Sequence, residues 1–91
     1  MQLEVLQTHT FKKAMKRLHA NQKKAVEEAI KQIIKYPTVG QAKKGDLDGI
    51  RVYKFRMLEQ LSLLAYQHHA NQLILVALGS HENFYRDLKN H

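Results

Sequence analysis

Four side chains in the second half of the chain could act together on a phosphodiester: Lys54, Arg56, His81 and Tyr85. Lys54 and Arg56 are two residues apart in a predicted strand, so strand alternation points both cations to the same side. Two such cations could clamp one phosphate through charge-assisted hydrogen bonds. His81 falls in the first turn of a predicted helix, where the positive end of the helix dipole favours a neutral imidazole that can accept a proton.

Each of these residues also has a purely structural interpretation. Lys54 and Arg56 fit a solvated strand face, and His81 fits a residue that shapes the start of a helix. Tyr85 fits an aromatic residue that packs the last helix against a sheet. The residue types therefore predict polyanion binding and leave catalysis open.

The composition supports an anionic partner. Fifteen Lys and Arg residues against eight Asp and Glu residues give a formal net charge of +7 over 91 residues. Such a charge favours nucleic acid, the ribosome, an anionic surface or an acidic protein, although a merely solvated surface gives the same balance. The length leaves room for one domain, residues 1–91.

Several site classes are disfavoured by the residue types. The chain has no cysteine, which excludes disulfides and thiolate ligands and fits a reducing cytoplasm. Its six histidines form no His-x-x-x-His pair with an intervening carboxylate, so we expect neither a metal nor another cofactor. No apolar run reaches the length of a membrane span. We therefore expect a cytoplasmic protein.

The first half of the chain predicts one strand followed by two helices. A strand at Leu3–Leu6 precedes Thr10, which could cap a helix whose apolar residues Phe11, Ala14, Met15 and Leu18 form one stripe. Asn21 is a candidate cap for a second helix, and proline at position 37 ends that helix. A tight turn near residues 19–21 makes the two helices antiparallel.

The second half predicts three strands and a final helix. An irregular loop at Thr38–Asp48 precedes strands at Ile50–Met57, Leu61–Tyr66 and Leu73–Leu78, separated by turns at residues 58–60 and 67–72. Ser80 then caps a last helix. The expected fold is a small α+β domain of order β-α-α-β-β-β-α. In it, a two-helix hairpin packs on one face of a curved antiparallel sheet, and the other face is partly open and basic.

Three segments in this order resemble a known family: the loop Lys44–Gly49, the strand segment Tyr53–Arg56 and the terminus Gly79–Tyr85. Together with the order of elements, they resemble RelE/ParE-superfamily toxins of bacterial type II toxin-antitoxin modules, with a closer likeness to the ParE-like toxin branch. The resemblance covers most of the chain. It implies a toxin that a co-expressed antitoxin restrains by wrapping it with a helix or a strand.

The resemblance implies two different mechanisms. RelE-like members enter the ribosomal A site and cut mRNA by letting a 2′-hydroxyl group attack the neighbouring phosphate, whereas ParE-like members poison DNA gyrase. Lys54 and Arg56 match basic positions of the RelE-like nucleases, Tyr85 matches their C-terminal aromatic residue, and His81 falls where they carry histidine or arginine. We interpret Lys43, Lys44, Arg51, Lys54 and Arg56 as nucleic-acid contacts, although the first three also fit antitoxin contacts.

One departure from the nuclease pattern concerns Leu63. The resemblance implies an arginine on the strand after Tyr53 and Lys54, three residues before a tyrosine. Three residues before Tyr66, this chain has Leu63 instead. A missing donor of this kind commonly lowers the rate about 10²–10³-fold. The sequence still favours ribosome-dependent, metal-independent mRNA cleavage. The alternatives are a ParE-like gyrase inhibitor and a non-toxic relic that only binds its antitoxin.

Overall fold

The computed structural model describes residues 3–80. In these residues the elements follow in the order β1 (Glu4–Gln7), α1 (His9–Lys16), α2 (Ala20–Lys35), β2 (Gln41–Ala42), a 3₁₀ helix (Gly45–Leu47), β3 (Arg51–Met57), β4 (Gln60–His69) and β5 (Gln72–Ser80). The predicted last helix, which would follow Ser80, lies outside the described residues.

The strands form a single sheet of order β1-β5-β4-β3-β2. Its inner pairs are antiparallel, and β1 pairs with β5 in parallel. The predicted α+β class and the helical hairpin on a sheet are confirmed, but the sheet is mixed. No short hairpin turn joins β1 to β5, so nothing forces that pair to be antiparallel.

The N-caps of both helices lie two residues before the predicted caps. Thr8 is the N-cap of α1, because its backbone is extended and its hydroxyl oxygen accepts a hydrogen bond from the Phe11 amide at 3.1 Å. Thr10 lies inside the helix. His19 is the N-cap of α2, and its amide donates to the Gln22 side chain at 2.8 Å. The predictions of caps at Thr10 and Asn21 were therefore wrong, whereas the end of α2 at the residue before Pro37 is confirmed.

The last two strands, β4 and β5, are longer than the apolar runs that predicted them. β4 and β5 continue through polar residues, with His68 opposite Leu73 and His69 opposite Gln72, so the predicted turn at residues 67–72 shrinks to two residues. Polar side chains are compatible with a ladder at its solvated end, where the backbone hydrogen bonds decide the structure. The loop at residues 38–48, predicted to be irregular, contains β2 and the 3₁₀ helix.

The hydrophobic core lies between the helices and one face of the sheet. Its fully buried members are Phe11, Val26 and Ile33 from the helical side and Leu64, Tyr66, Leu73 and Leu75 from the sheet. A second, smaller cluster of Val52, Leu63, Ala65 and Ala77 lies on the opposite face, where Leu47 and Ile50 pack against it. We call this opposite face, on which Lys54 and Arg56 are exposed beside the buried cluster, the open face.

A β-bulge explains how β5 contributes to both clusters. Ala65 pairs with Ala77, but the next residue of β4, Tyr66, pairs with Leu75, so Val76 is an extra residue in β5. The bulge reverses the alternation: Leu73 and Leu75 face the helices, and Ala77 faces the other way. Without the bulge, Leu75 and Ala77 would face the same side of the sheet, although their partners Tyr66 and Ala65 face opposite sides.

Thr8 connects the bulge to the first helix. Its amide donates to the carbonyl of Leu75 at 3.0 Å, and its hydroxyl donates to the carbonyl of Val76 at 2.6 Å. The same hydroxyl oxygen accepts from Phe11 to cap α1. One side chain thus satisfies a backbone donor of the helix and a backbone acceptor of the bulged strand.

We expect Thr8→Val to lower the free energy of unfolding by about 1–3 kcal/mol, because it leaves one helical amide and one strand carbonyl without a partner. Thr10→Val is the matched control, since Thr10 makes no side-chain hydrogen bond within the described residues. Chemical denaturation of both variants checks this. An equal loss in the two variants would show that Thr8 is not the cap.

Candidate nucleic-acid interface

Lys54 and Arg56 are exposed on β3, where they alternate with residues that pack beneath the helices. Arg56 also borders a cleft that residues of α2 line. Tyr53, Phe55 and Met57 belong to the core cluster beneath the helices, and the Tyr53 and Phe55 rings stack with a centroid separation of 6.2 Å. The predicted alternation of β3 is therefore confirmed. Two residues along a strand span about 7 Å, so both cations lie along one short stretch of the open face.

The two cations are not neutralised by the part of the chain that the structure describes. Lys54 makes no hydrogen bond or ion pair there, and the single salt bridge within residues 3–80 joins Lys31 to Glu28 at 3.5 Å. Arg56 donates one guanidinium hydrogen bond to the carbonyl of Glu59 at 3.1 Å, which leaves its other donors for a ligand. Within residues 3–80, both positive charges are therefore available to an anion.

A shallow cleft of about 260 Å³ lies beside Lys54. Val39, Gln41, Val52 and Tyr53 complete its lining. The cleft exists because β2 pairs only with Arg51 and Val52, so the edge of β3 is uncovered from Tyr53 onward in the described chain. Lys54 therefore lies where a strand edge, a loop and the open face meet.

Leu63 occupies the centre of the open face. It pairs with Lys54 on one side and with Gly79 on the other, and its side chain is fully buried. Because it packs with Val52, Ala65 and Ala77, this position is a hydrophobic contact and supplies no hydrogen-bond donor. The departure noted in the sequence is thus part of a packed apolar cluster next to the cation pair.

Arg51 is separated from the pair, because strand alternation places it on the same side as Tyr53. Its guanidinium donates to the carbonyls of Thr38 and Gly40 at 3.2 and 2.8 Å. Both bonds use the same terminal nitrogen, so the other guanidinium nitrogens are not engaged by these two carbonyls. The nucleic-acid contact of Arg51 stays a prediction. What the structure shows is that Arg51 ties the loop after α2 to β3.

Tyr66 holds the same loop from the centre of the sheet. Its hydroxyl donates to the carbonyl of Pro37 at 2.6 Å and accepts from the amide of Gly40 at 2.9 Å. Burial raises the pKa of this hydroxyl above its ordinary value and outweighs the Gly40 hydrogen bond and the positive charge of Arg51, which lower it. The neutral phenol is therefore the form that the fold holds.

Gly40 must be a glycine at this contact. A Cβ atom at position 40 would lie 2.7 Å from both the hydroxyl oxygen and a ring carbon of Tyr66, which is closer than real side chains approach. Sequence reasoning missed this arrangement, because neither a lone glycine in a loop nor a tyrosine in an apolar strand indicates its partner. Tyr66 is the residue that fixes where the loop passes Lys54.

The remaining predicted contacts lie further along the loop. The amide of Lys43 donates to the carbonyl of Ile50, and its ammonium group lies 3.4 Å from the side-chain oxygen of Gln41. Lys44 is exposed and precedes the 3₁₀ helix. Their roles as nucleic-acid contacts stay predictions.

His81 and Tyr85 lie outside the described residues, so their roles stay predictions as well. The described chain ends at Ser80, which pairs with Ser62, and Ser62 pairs in turn with Phe55. The last described residue is therefore in the row next to the one that contains Lys54. Residues 3–80 contain no group of three or more His, Asp or Glu side chains that could hold a metal ion.

A family model of the ParE-like toxin of type II bacterial toxin-antitoxin systems matches residues 5–89. The chain belongs to this family. The predicted membership in the RelE/ParE superfamily is thereby confirmed, and with it the identification as a toxin of a type II toxin-antitoxin system. No curated protein sequence matches this ParE-like toxin.

Solved structures of related toxins share the fold. The E. coli toxin RelE, as a mutant in the free state, is 13% identical with a TM-score of 0.76, covering 99% of this chain and 93% of that chain. The YoeB/ParE toxin from Agrobacterium tumefaciens is 16% identical with a TM-score of 0.68, covering 87% of this chain and 99% of that chain. The intact E. coli RelBE toxin-antitoxin complex matches at 13% identity and a TM-score of 0.72, over 88% of this chain and 98% of that chain. At these identities the likeness shows the fold alone.

No helix within residues 3–80 is long and apolar enough to cross a membrane.

We expect Tyr66→Phe to lower the free energy of unfolding by about 1–3 kcal/mol at neutral pH, because the Gly40 amide and the Pro37 carbonyl lose a buried partner. The raised pKa adds a pH dependence. The stabilisation by the neutral Tyr66 hydroxyl is complete below about pH 10, the pKa of a tyrosine in the unfolded chain. It is lost as the pH rises through the higher pKa of Tyr66 in the folded state. The stability difference between wild type and variant should therefore shrink above that pH.

Tyr36→Phe is the control, because Tyr36 is 55% exposed. Denaturation curves at neutral and alkaline pH should show little change for this variant. A Tyr66→Phe protein as stable as the wild type, or a difference that grows with pH, would contradict the proposed role of the hydroxyl.

Proposed function

We propose that this ParE-like toxin arrests growth by cutting mRNA on the ribosome, without a metal ion, and that a cognate antitoxin neutralises it. The observation that carries the proposal is the pair of exposed cations on the open face of β3, Lys54 and Arg56, which no acidic side chain of residues 3–80 neutralises. Such a pair matches the charge that accumulates on a phosphate during cleavage.

In the proposed reaction, the 2′-hydroxyl oxygen of one nucleotide attacks the adjacent phosphorus and the bond to the 5′-oxygen of the next nucleotide breaks. The products are a 2′,3′-cyclic phosphate and a free 5′-hydroxyl group. His81 accepts the proton of the attacking hydroxyl, and Tyr85 donates a proton to the leaving oxygen. Lys54 and Arg56 stabilise the negative charge on the non-bridging oxygens.

The geometry of β3 supports this division of roles. Arg56 offers a planar guanidinium that can bind two phosphate oxygens, and Lys54 adds a mobile point charge. Both project from a strand whose other side is packed into the core, so the backbone beneath them is rigid. Preorganised charge of this kind acts without rearrangement during the reaction.

A second candidate function is inhibition of DNA gyrase by binding alone. Leu63 favours it, because a fully buried leucine packed among Val52, Ala65 and Ala77 supplies no hydrogen-bond donor where the nuclease pattern has an arginine. Without that donor, the exposed cations fit electrostatic contacts with a protein as well as a phosphate site. In this alternative, Lys54 and Arg56 contact gyrase and have no chemical role.

The proposed partners follow from the two mechanisms. The intact E. coli RelBE complex, which shares the fold, contains a toxin and its antitoxin. We infer that this toxin likewise forms a hetero-oligomer with an antitoxin. The ribosome and mRNA, or gyrase in the alternative, are its cytoplasmic targets.

Purified protein added to a cell-free translation reaction and to a gyrase supercoiling assay tests the choice. We expect translation to stop with mRNA cut and with 5′-hydroxyl ends at the cut sites, while supercoiling continues. Intact mRNA together with lost supercoiling would overturn the nuclease proposal in favour of gyrase inhibition. Activity in neither assay, and normal growth of cells that express the soluble protein, would leave only antitoxin binding.

We expect Lys54→Gln and Arg56→Gln each to slow cleavage at least about tenfold, because removal of one positioned donor commonly lowers a rate about 10²–10³-fold. Arg56→Lys, which keeps the charge and loses the bidentate geometry, should retain more activity than Arg56→Gln. Tyr85→Phe and His81→Gln should each slow cleavage to a similar degree. Cleavage rates on programmed ribosomes measure all five variants.

Lys31→Gln is the control, because it removes one exposed lysine from α2 and leaves the side chains of β3 unchanged. It should cleave like the wild type. Unchanged rates in the Lys54 and Arg56 variants would remove β3 from the proposed site, and unchanged rates in the His81 and Tyr85 variants would remove the assigned acid and base.

A further inference from the structure

The helical layer carries a second basic surface that the proposed site does not use. Residues 9–24 contain six Lys and Arg residues and no Asp or Glu. Four of the six are on α1 or at its C-terminal end: Lys12, Lys13, Lys16 and Arg17. We call these four residues the α1 basic face. All four are exposed.

The fold fixes the direction of this surface. Phe11 is 1% exposed and α1 packs on β5, so the apolar side of the helix is buried in the core. With 3.6 residues per turn, the four cations lie on the side of the helix opposite Phe11. Lys12 and Lys16 are one turn apart along one stripe, and Lys13 and Arg17 are one turn apart along the next.

The α1 basic face is separate from Lys54 and Arg56. The helices cover one face of the sheet, and those two residues are exposed on β3, where they alternate with residues that pack beneath the helices. Within residues 3–80, none of the four α1 cations forms a salt bridge. The protein therefore presents positive charge on two opposite sides, which a single phosphate site does not require.

The composition of the α1 basic face favours nucleic acid over other anionic partners. Membrane-surface helices insert an apolar side, but the apolar side of α1 is buried in the core. Protein interfaces depend on exposed aromatic or large apolar anchors, and no large apolar residue is highly exposed between Leu6 and Ile34. A purely cationic surface is what sequence-independent phosphate contacts need.

We propose that the α1 basic face binds the phosphate backbone of a nucleic-acid duplex, independently of the open face. Residues one turn apart are separated by about 6 Å along the helix, so each stripe could contact neighbouring phosphates of one strand. A second contact of this kind would hold the protein on a structured nucleic acid while the open face remains accessible. The surface goes beyond the proposed cleavage site and does not depend on it.

The test measures the affinity of the full chain for short mixed-sequence RNA and DNA duplexes at several salt concentrations. The variant is Lys12→Gln/Lys16→Gln. Its control is Lys31→Gln/Lys35→Gln on α2, which removes the same charge from two exposed lysines at the same spacing. Each phosphate contact contributes about 0.9 to the slope of log affinity against log salt, so the variant should lower the slope by about 2 and the control should not.

The RNA and DNA arms identify which duplex the α1 basic face prefers. Polyglutamate serves as a third probe for an acidic protein partner. Equal slopes for wild type, variant and control would overturn the proposal, as would polyglutamate binding that is as tight and as dependent on Lys12 and Lys16 as duplex binding. Thermal unfolding of the variant should match the wild type, because both lysines are exposed. The result is independent of mRNA cleavage, since the probes contain no ribosome.

Discussion

The hydroxyl group of Tyr66 joins the loop that follows α2 to the central strand of the sheet. Through one donated and one accepted hydrogen bond it fixes Pro37 and Gly40, and the glycine permits an approach that any side chain would block. Arg51 binds the same loop from β3. Because the loop leads directly into β2 and lines the cleft beside Lys54, the shape of the candidate site depends on a buried contact on the other face of the sheet. Scaffold and site are thus coupled through residues that have no chemical role of their own.

The bulge at Val76 is the second constraint on the sheet. It lets Leu75 face the helices and Ala77 face the other way, and Thr8 satisfies the carbonyl that the extra residue frees. As a result, the helical hairpin covers one face of the sheet, and the other face exposes Lys54 and Arg56 beside a small buried apolar cluster. Because the core lies between the helices and the sheet, cations are exposed both on the outer side of α1 and on β3.

Periodicity predicted the elements well and their limits poorly. The stripe on α1, the end of α2 before proline, and the alternation of β3 each depend on local residue types, and all are confirmed. The caps at Thr8 and His19, the bulge at Val76 and the Tyr66–Gly40 contact depend on partners distant in the sequence or on the exact phase of a helix. No single-sequence pattern identifies such partners. For the site, the sequence predicted the common direction of Lys54 and Arg56. It did not indicate that Arg51 binds the Thr38 and Gly40 carbonyls of the loop, because those partners are distant in the sequence.

The proposed cleavage requires the region around Lys54 to contact mRNA in the ribosome. Val39 is 46% exposed and lines the cleft with Lys54, so a photo-crosslinking amino acid at position 39 reports on this region without removing a proposed catalytic group. Position 34 on α2, where Ile34 is 41% exposed, is the control. On programmed ribosomes we expect crosslinks to mRNA from position 39 and not from position 34. No crosslink to mRNA from position 39, or equal crosslinking from positions 39 and 34, would contradict the account.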